Sequence, residues 1–197
     1  MFLPGGPKGA SPGAQRKGSP VNHDFILPDE QATAALGAAL GHALPARAAD
    51  VTTHGLVLGL SGDLGAGKTA LVRALLRALG VRGPVKSPTF ALLEPYPLSS
   101  LNFYHFDFYR FGAPAEFSSA GFRDLFAPGN VCAVEWPERA GDRLPAPDLV
   151  LTFRVMDAGR HVTAAARTER GAAWLQQAIA RMTRPSASTP PTPPDAA

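Results

Sequence analysis

The run Gly62-Asp63-Leu64-Gly65-Ala66-Gly67-Lys68-Thr69 is a complete GxxxxGK(S/T) phosphate-binding loop, and it admits few folds. Glycines let the backbone curl so that several N–H groups face one phosphate cluster, and the helix that follows turns its positive end to the same place. The lysine neutralises outer phosphates and the threonine hydroxyl reaches magnesium. Such a loop needs a strand before it and a helix after it. Gly55-Leu56-Val57-Leu58-Gly59-Leu60 reads as a buried strand, and Lys68 to Leu79 places Leu71, Leu75 and Leu79 at four-residue spacing before Gly80 closes the helix. With 20 Gly in 197 residues, glycine spacing alone would say little. The flanking strand and helix make the loop specific, so Asp63, Leu64, Gly65, Ala66, Gly67, Lys68 and Thr69 are expected to hold a nucleoside triphosphate.

The remaining pattern alternates strands with helices. Pro28 to Leu44 reads as a helix with acids in its first turn and Leu36, Leu40 and Leu44 on one face. Phe90 to Tyr96 and Leu101 to Asp107 read as two strands of a hairpin, with a turn at Pro97, Ser99 and Ser100. Pro114 to Phe126 is a short irregular helical stretch and Asn130 to Glu135 a buried strand. Leu149 to Met156 and Arg160 to Arg167 form a closing pair about Asp157-Ala158-Gly159, before a last helix from Gly171 to Met182. The fold expected is a three-layer α/β sandwich of the P-loop NTPase kind, its sheet mixed but mostly parallel.

A chain of 197 residues with 45% hydrophobic residues suits one such domain. Its 20 prolines are densest at the ends. Residues 1–23 are expected to be a disordered basic extension, 24–183 the P-loop domain, and 184–197 a disordered Pro-rich tail. The formal charge of +3 resides in Lys8, Arg16 and Lys17 of the first segment, which has no acid. The body is neutral, which argues against a direct electrostatic grip on RNA or DNA. Cys132 is the only cysteine, so no intramolecular disulfide forms, and its apolar surroundings read as core. No apolar stretch of about eighteen residues occurs, and the expected location is the cytoplasm, with an organelle transit segment as the weaker alternative.

Hydrolysis or transfer also needs an acid near the magnesium, commonly at the end of a hydrophobic strand beside the loop strand. Val131-Cys132-Ala133-Val134-Glu135 fits, because Trp136-Pro137 stops the strand at once and leaves Glu135 at the carboxyl edge. In His105-Phe106-Asp107-Phe108-Tyr109-Arg110, alternation puts His105, Asp107 and Tyr109 on one face. Asp107 is the candidate to position the attacking water or to reach magnesium through water; His105 reads by default as a structural histidine. Lys86-Ser87-Pro88-Thr89 lies where related loops keep a phosphate-sensing switch, and by itself is a polar loop.

GDLGAGKT (Gly62 to Thr69), VKSPTF (Val85 to Phe90), HFDFYR (His105 to Arg110) and VEWPER (Val134 to Arg139), in this order, closely resemble the TsaE (YjeE) family, and ILPDEQAT (Ile26 to Thr33) resembles its opening. The resemblance covers roughly residues 25–182. It implies a small magnesium-dependent ATPase needed to make threonylcarbamoyladenosine beside the anticodon of tRNAs that read codons beginning with A. It implies TsaD and TsaB as protein partners, with TsaD transferring the group, tRNA met only through that complex, and no membrane. It further implies ATP and Mg2+ as cofactors, with Lys68 and Thr69 on phosphate and magnesium. Glu135 would help hold the metal, and Asp107 would be required for hydrolysis. Trp136 would belong to the functional surface, and Glu30, Thr33 and Arg160 would lie near the nucleotide. The segment after Arg110 keeps Glu116 but is poorer in carboxylates than the family pattern.

Two other readings remain. A small-molecule phosphotransferase would need an acceptor site and usually an arginine-bearing lid, and the region after Arg110 offers only Arg123 before the next strand. A guanine-nucleotide regulatory switch would need an NKxD-type base reader, which the chain lacks.

Overall fold

In the computed structural model, which describes residues 21–183, seven strands form one sheet in the order β1-β7-β6-β2-β5-β4-β3. The elements are β1 (Asn22–Leu27), α1 (Glu30–Ala43), α2 (Ala48–His54), β2 (Leu56–Ser61), α3 (Lys68–Ala78), β3 (Leu93–Pro97), β4 (Asn102–Asp107), α4 (Ala115–Ser119), β5 (Asn130–Glu135), β6 (Leu149–Val155), β7 (Arg160–Ala166) and α5 (Glu169–Met182). Strand β2 pairs in parallel with β5 and β6, and β4 in parallel with β5. Antiparallel pairs β3–β4, β6–β7 and β1–β7 finish the two sides. Five strands thus run one way, with β3 and β7 against them, which is the mixed, mostly parallel sheet expected. The expected disordered segments lie outside the described residues, except that β1 begins at Asn22, two residues ahead of the boundary at 24.

The layers follow from side-chain alternation along the strands. Leu56, Leu58 and Leu60 of β2 face Leu36 and Leu40 of α1, Leu71 and Leu75 of α3, and Trp174 and Leu175 of α5. Gly41 brings α1 backbone onto α3: a Cβ there would lie 2.5 Å from the Leu75 carbonyl oxygen and 2.8 Å from the Ala78 Cβ. On the opposite face Val57, Phe106, Phe108, Cys132 and Val134 meet Phe111, Phe117, Ala140 and Leu144. This second layer consists of short helical turns and stacked aromatic rings rather than long helices; Phe108 and Phe111 stack with centroids 4.5 Å apart.

Local differences from the sequence reading have physical causes. The strand expected from Phe90 begins at Leu93, because Leu92 takes a left-handed conformation (φ 65) and donates its N–H to the Pro88 carbonyl. The stretch from Pro114 to Phe126 is broken by Gly121 (φ 70) into α4 and a 3-10 turn at Phe122–Leu125. Asp148, buried at the start of β6, accepts from the Val57 N–H, the Thr168 hydroxyl and Arg170, and so ties the entry of β2 to α5. No helix among the described residues is long and apolar enough to cross a membrane.

Candidate functional site

The phosphate loop leaves β2 at Ser61 and enters α3 at Lys68. Gly62 (φ 130), Gly65 (φ 78) and Gly67 (φ 107) supply left-handed backbone that other residues rarely adopt. Helices α1 and α5 are capped by side chains, Asp29 accepting from the Ala32 N–H and Thr168 from the Gly171 N–H. Helix α3 begins on Gly67 and has no side-chain cap. Its first N–H groups are therefore the donors an anion would satisfy.

Lys68 is buried, and its Nζ donates to the carbonyls of Gly62 at 2.6 Å and Asp63 at 2.8 Å. Burial lowers its pKa, opposed by the carboxylates of Glu135, Asp107, Glu138 and Asp63. The same Nζ lies 4.2 Å from the centroid of the Trp136 ring. Trp136 closes on the lysine because the chain turns left-handed there (φ 58) directly after Glu135, while its N–H continues the ladder to the Leu60 carbonyl. Tyr109 packs on the same indole with centroids 5.2 Å apart.

The two candidate acids come together because β4 and β5 are in parallel register, with Asp107 opposite Glu135 at their carboxyl ends. Both are buried. Glu135 Oε1 accepts from the Thr69 hydroxyl at 2.7 Å and faces His105 Nε2 at 2.9 Å. Asp107 Oδ1 accepts from the Tyr109 N–H at 2.9 Å, and Oδ2 accepts from the hydroxyls of Thr89, at 2.7 Å, and Ser87. The polar loop after α3 is thereby fastened to Asp107. Sequence reasoning placed Ser87 and Thr89 only in a polar loop where related loops keep a phosphate-sensing switch, since the folded β4–β5 edge is what brings them to the acid. It also assigned His105 to structure, although the alternation that put it on the Asp107 face was the signal for its contact with Glu135.

The outlying positions gather at the same end of the sheet. The Arg160 guanidinium occupies the space a Cβ on Gly67 would need, so the arginine lies on the phosphate loop. Leu27 is opposite Arg160 in the β1–β7 register, which brings the start of α1 alongside. Glu30 is exposed there, whereas Thr33 is buried with its hydroxyl donating to the Asp29 carbonyl. Two residues of the segment after Arg110 have structural partners: Glu116 accepts from the N–H groups of Gly112 and Ala113, and Arg123 donates to the Arg143 carbonyl.

Magnesium bound with a nucleotide fits these donors. Thr69 and Glu135 offer oxygen ligands beside a loop shaped for phosphate. Among the described residues no group of three or more His, Cys, Asp or Glu is placed to hold a metal ion.

The loop strand between parallel neighbours, the glycine loop and the helix behind it define a P-loop nucleoside triphosphatase fold. The family model described as threonylcarbamoyl adenosine biosynthesis protein TsaE matches residues 27–162. The chain belongs to the TsaE family. It is 39% identical over 120 residues to the tRNA threonylcarbamoyladenosine biosynthesis protein TsaE of Haemophilus influenzae, covering 61% of this chain and 76% of that protein. The TsaE of Treponema pallidum is 37% identical over 113 residues, covering 57% of this chain and 83% of the relative. Among solved structures, Bacillus subtilis YdiB superposes with a TM-score of 0.63 at 27% identity, covering 83% of this chain and 96% of YdiB.

Proposed function

We propose that this protein is a magnesium-dependent ATPase that acts on the TsaD–TsaB pair during threonylcarbamoyladenosine modification of tRNAs reading codons that begin with A, without transferring the group itself. The observation that carries this reading is the helix start at Gly67: it has no side-chain cap, and Lys68 and Thr69 stand there facing Glu135 and Asp107. On this reading the first N–H groups of α3 and Lys68 bind the phosphates. Thr69 and Glu135 hold magnesium, which would neutralise charge developing on the transferred phosphoryl group. Asp107 orients the attacking water, and Ser87 and Thr89 tie that acid to the loop after α3. Arg160 and the start of α1, with Glu30 and Thr33, flank the nucleotide. Membership of a family named for a tRNA modification supports the pathway, and the neutral body supports leaving the grip on tRNA to partners. The site would operate in the cytoplasm.

A phosphotransferase reading is disfavoured by Arg123, the arginine a lid would use, which is tied to the Arg143 carbonyl. Competition of ATP against GTP for the chain, followed by assay of where the phosphate goes, tests the proposal. Preference for ATP with phosphate released to water is expected; phosphate appearing on an added metabolite would overturn it.

A further inference from the structure

His105 is fully buried on β4, between Glu94 of β3 and Ala133 of β5 in the register of the sheet. Its Nδ1 is buried without a hydrogen-bond partner. A buried polar atom left unpaired is costly, so packing alone would be better served by an apolar side chain of similar size. What the imidazole supplies is its other nitrogen: Nε2 lies 2.9 Å from Glu135 Oε1. With a carboxylate as partner, Nε2 bears the donated hydrogen. The Thr69 hydroxyl reaches the same Oε1 at 2.7 Å. Both side-chain donors to Glu135 therefore fall on one oxygen, and Oε2 is the oxygen they leave for a cation or its water.

We propose that His105 is the positioning residue of the metal half of the site. Its Nε2–H fixes the Glu135 carboxylate through Oε1 and thereby presents Oε2 to magnesium. The inference rests on the ATP–magnesium reading above. It assigns His105 no contact with nucleotide and no part in proton transfer; the residue acts only through Glu135. Partners that orient a ligating carboxylate contribute to metal affinity, and their loss lowers it by about 10- to 100-fold.

The test is equilibrium ATP binding to the full chain, in EDTA and across a Mg2+ titration, for the wild type, His105→Ala and His105→Gln. The glutamine amide keeps an N–H donor. The expected result is equal ATP affinity of all three in EDTA, a Mg2+ midpoint raised about tenfold or more in His105→Ala, and recovery toward the wild-type midpoint in His105→Gln. A wild-type Mg2+ midpoint in His105→Ala overturns the proposal. So does loss of the EDTA affinity in His105→Ala, which would make the residue part of the phosphate site or the core, and so does failure of glutamine to restore the midpoint. If the wild type itself shows no Mg2+-dependent gain in ATP affinity, it is the ATP–magnesium reading that fails.

Discussion

Lys68 Nζ sits 4.2 Å from the centre of the Trp136 ring while it donates to the Gly62 and Asp63 carbonyls of its own loop. The lysine is thus held at the phosphate loop from two sides, by backbone oxygen and by an aromatic face. Replacing it removes the main cation from the phosphate end of the site. Lys68→Ala is expected to weaken ATP binding by about tenfold to a hundredfold or more, the range for a lost hydrogen bond to a charged group. Isothermal calorimetry checks this, and undiminished affinity would show that the loop does not bind the triphosphate.

The bond from the Thr89 hydroxyl to Asp107 Oδ2, at 2.7 Å, joins the loop after α3 to the acid proposed to orient the attacking water. Thr89→Val keeps the shape and removes the donor. Steady-state turnover is expected to fall by about tenfold, as for one hydrogen bond to a charged group. ATP affinity should stay within about twofold, because no phosphate contact is assigned to Thr89. An equal loss in both would place Thr89 on the nucleotide instead.

Asp148 satisfies the buried Val57 N–H, the Thr168 hydroxyl and Arg170 at the end of the sheet away from the site. Asp148→Ala leaves a buried donor unpaired and strips Arg170 of its partner, a cost of about 2–4 kcal/mol. The melting temperature should drop by roughly 5–15 °C. A calorimetric scan within about 1 °C of wild type would contradict the role of Asp148 as the tie between β2 and α5.

Cys132 is buried in β5, with Sγ 3.4 Å from the Leu125 carbonyl, and burial pushes its thiol pKa well above the ordinary value. The thiolate is the reactive form, so a raised pKa and closed access act in the same direction. A thiol reagent at pH 8 is expected to leave the folded chain unlabelled and to modify one cysteine per chain after denaturation. Rapid labelling of the folded chain would mean that the aromatic layer over β5 opens.

Much of this site was legible because its chemistry is coded locally. The loop from Gly62 to Thr69 and the strand ending in Glu135 are each marked out within a few residues, with Trp136-Pro137 at the strand end, and the fold puts both where they were expected. What stayed hidden depends on pairing between distant segments. Strand β1 carries only Phe25 and Leu27 as buried apolar residues and exists through its antiparallel partner β7, far along the chain. Helix α2, with Val51 as its one buried residue, shows too little periodicity to be read. The contacts of Ser87 and Thr89 with Asp107, and of His105 with Glu135, likewise form only when the β4–β5 register brings them to one edge. The expectation that Arg160 lies near the nucleotide came from the family resemblance, not from spacing; that its guanidinium rests against Gly67 emerges only from the fold, which packs the β6–β7 turn beside the loop.

The central claim, that this loop hydrolyses ATP in the service of a tRNA-modifying assembly, is tested most directly by phosphate release from the purified chain with and without the TsaD–TsaB pair, beside Asp107→Ala. The account predicts Mg2+-dependent release that rises when the pair is added. It also predicts a fall of about 10²- to 10⁴-fold in Asp107→Ala, with ATP still bound. No release under any condition, or Asp107→Ala turning over at the wild-type rate, would contradict it.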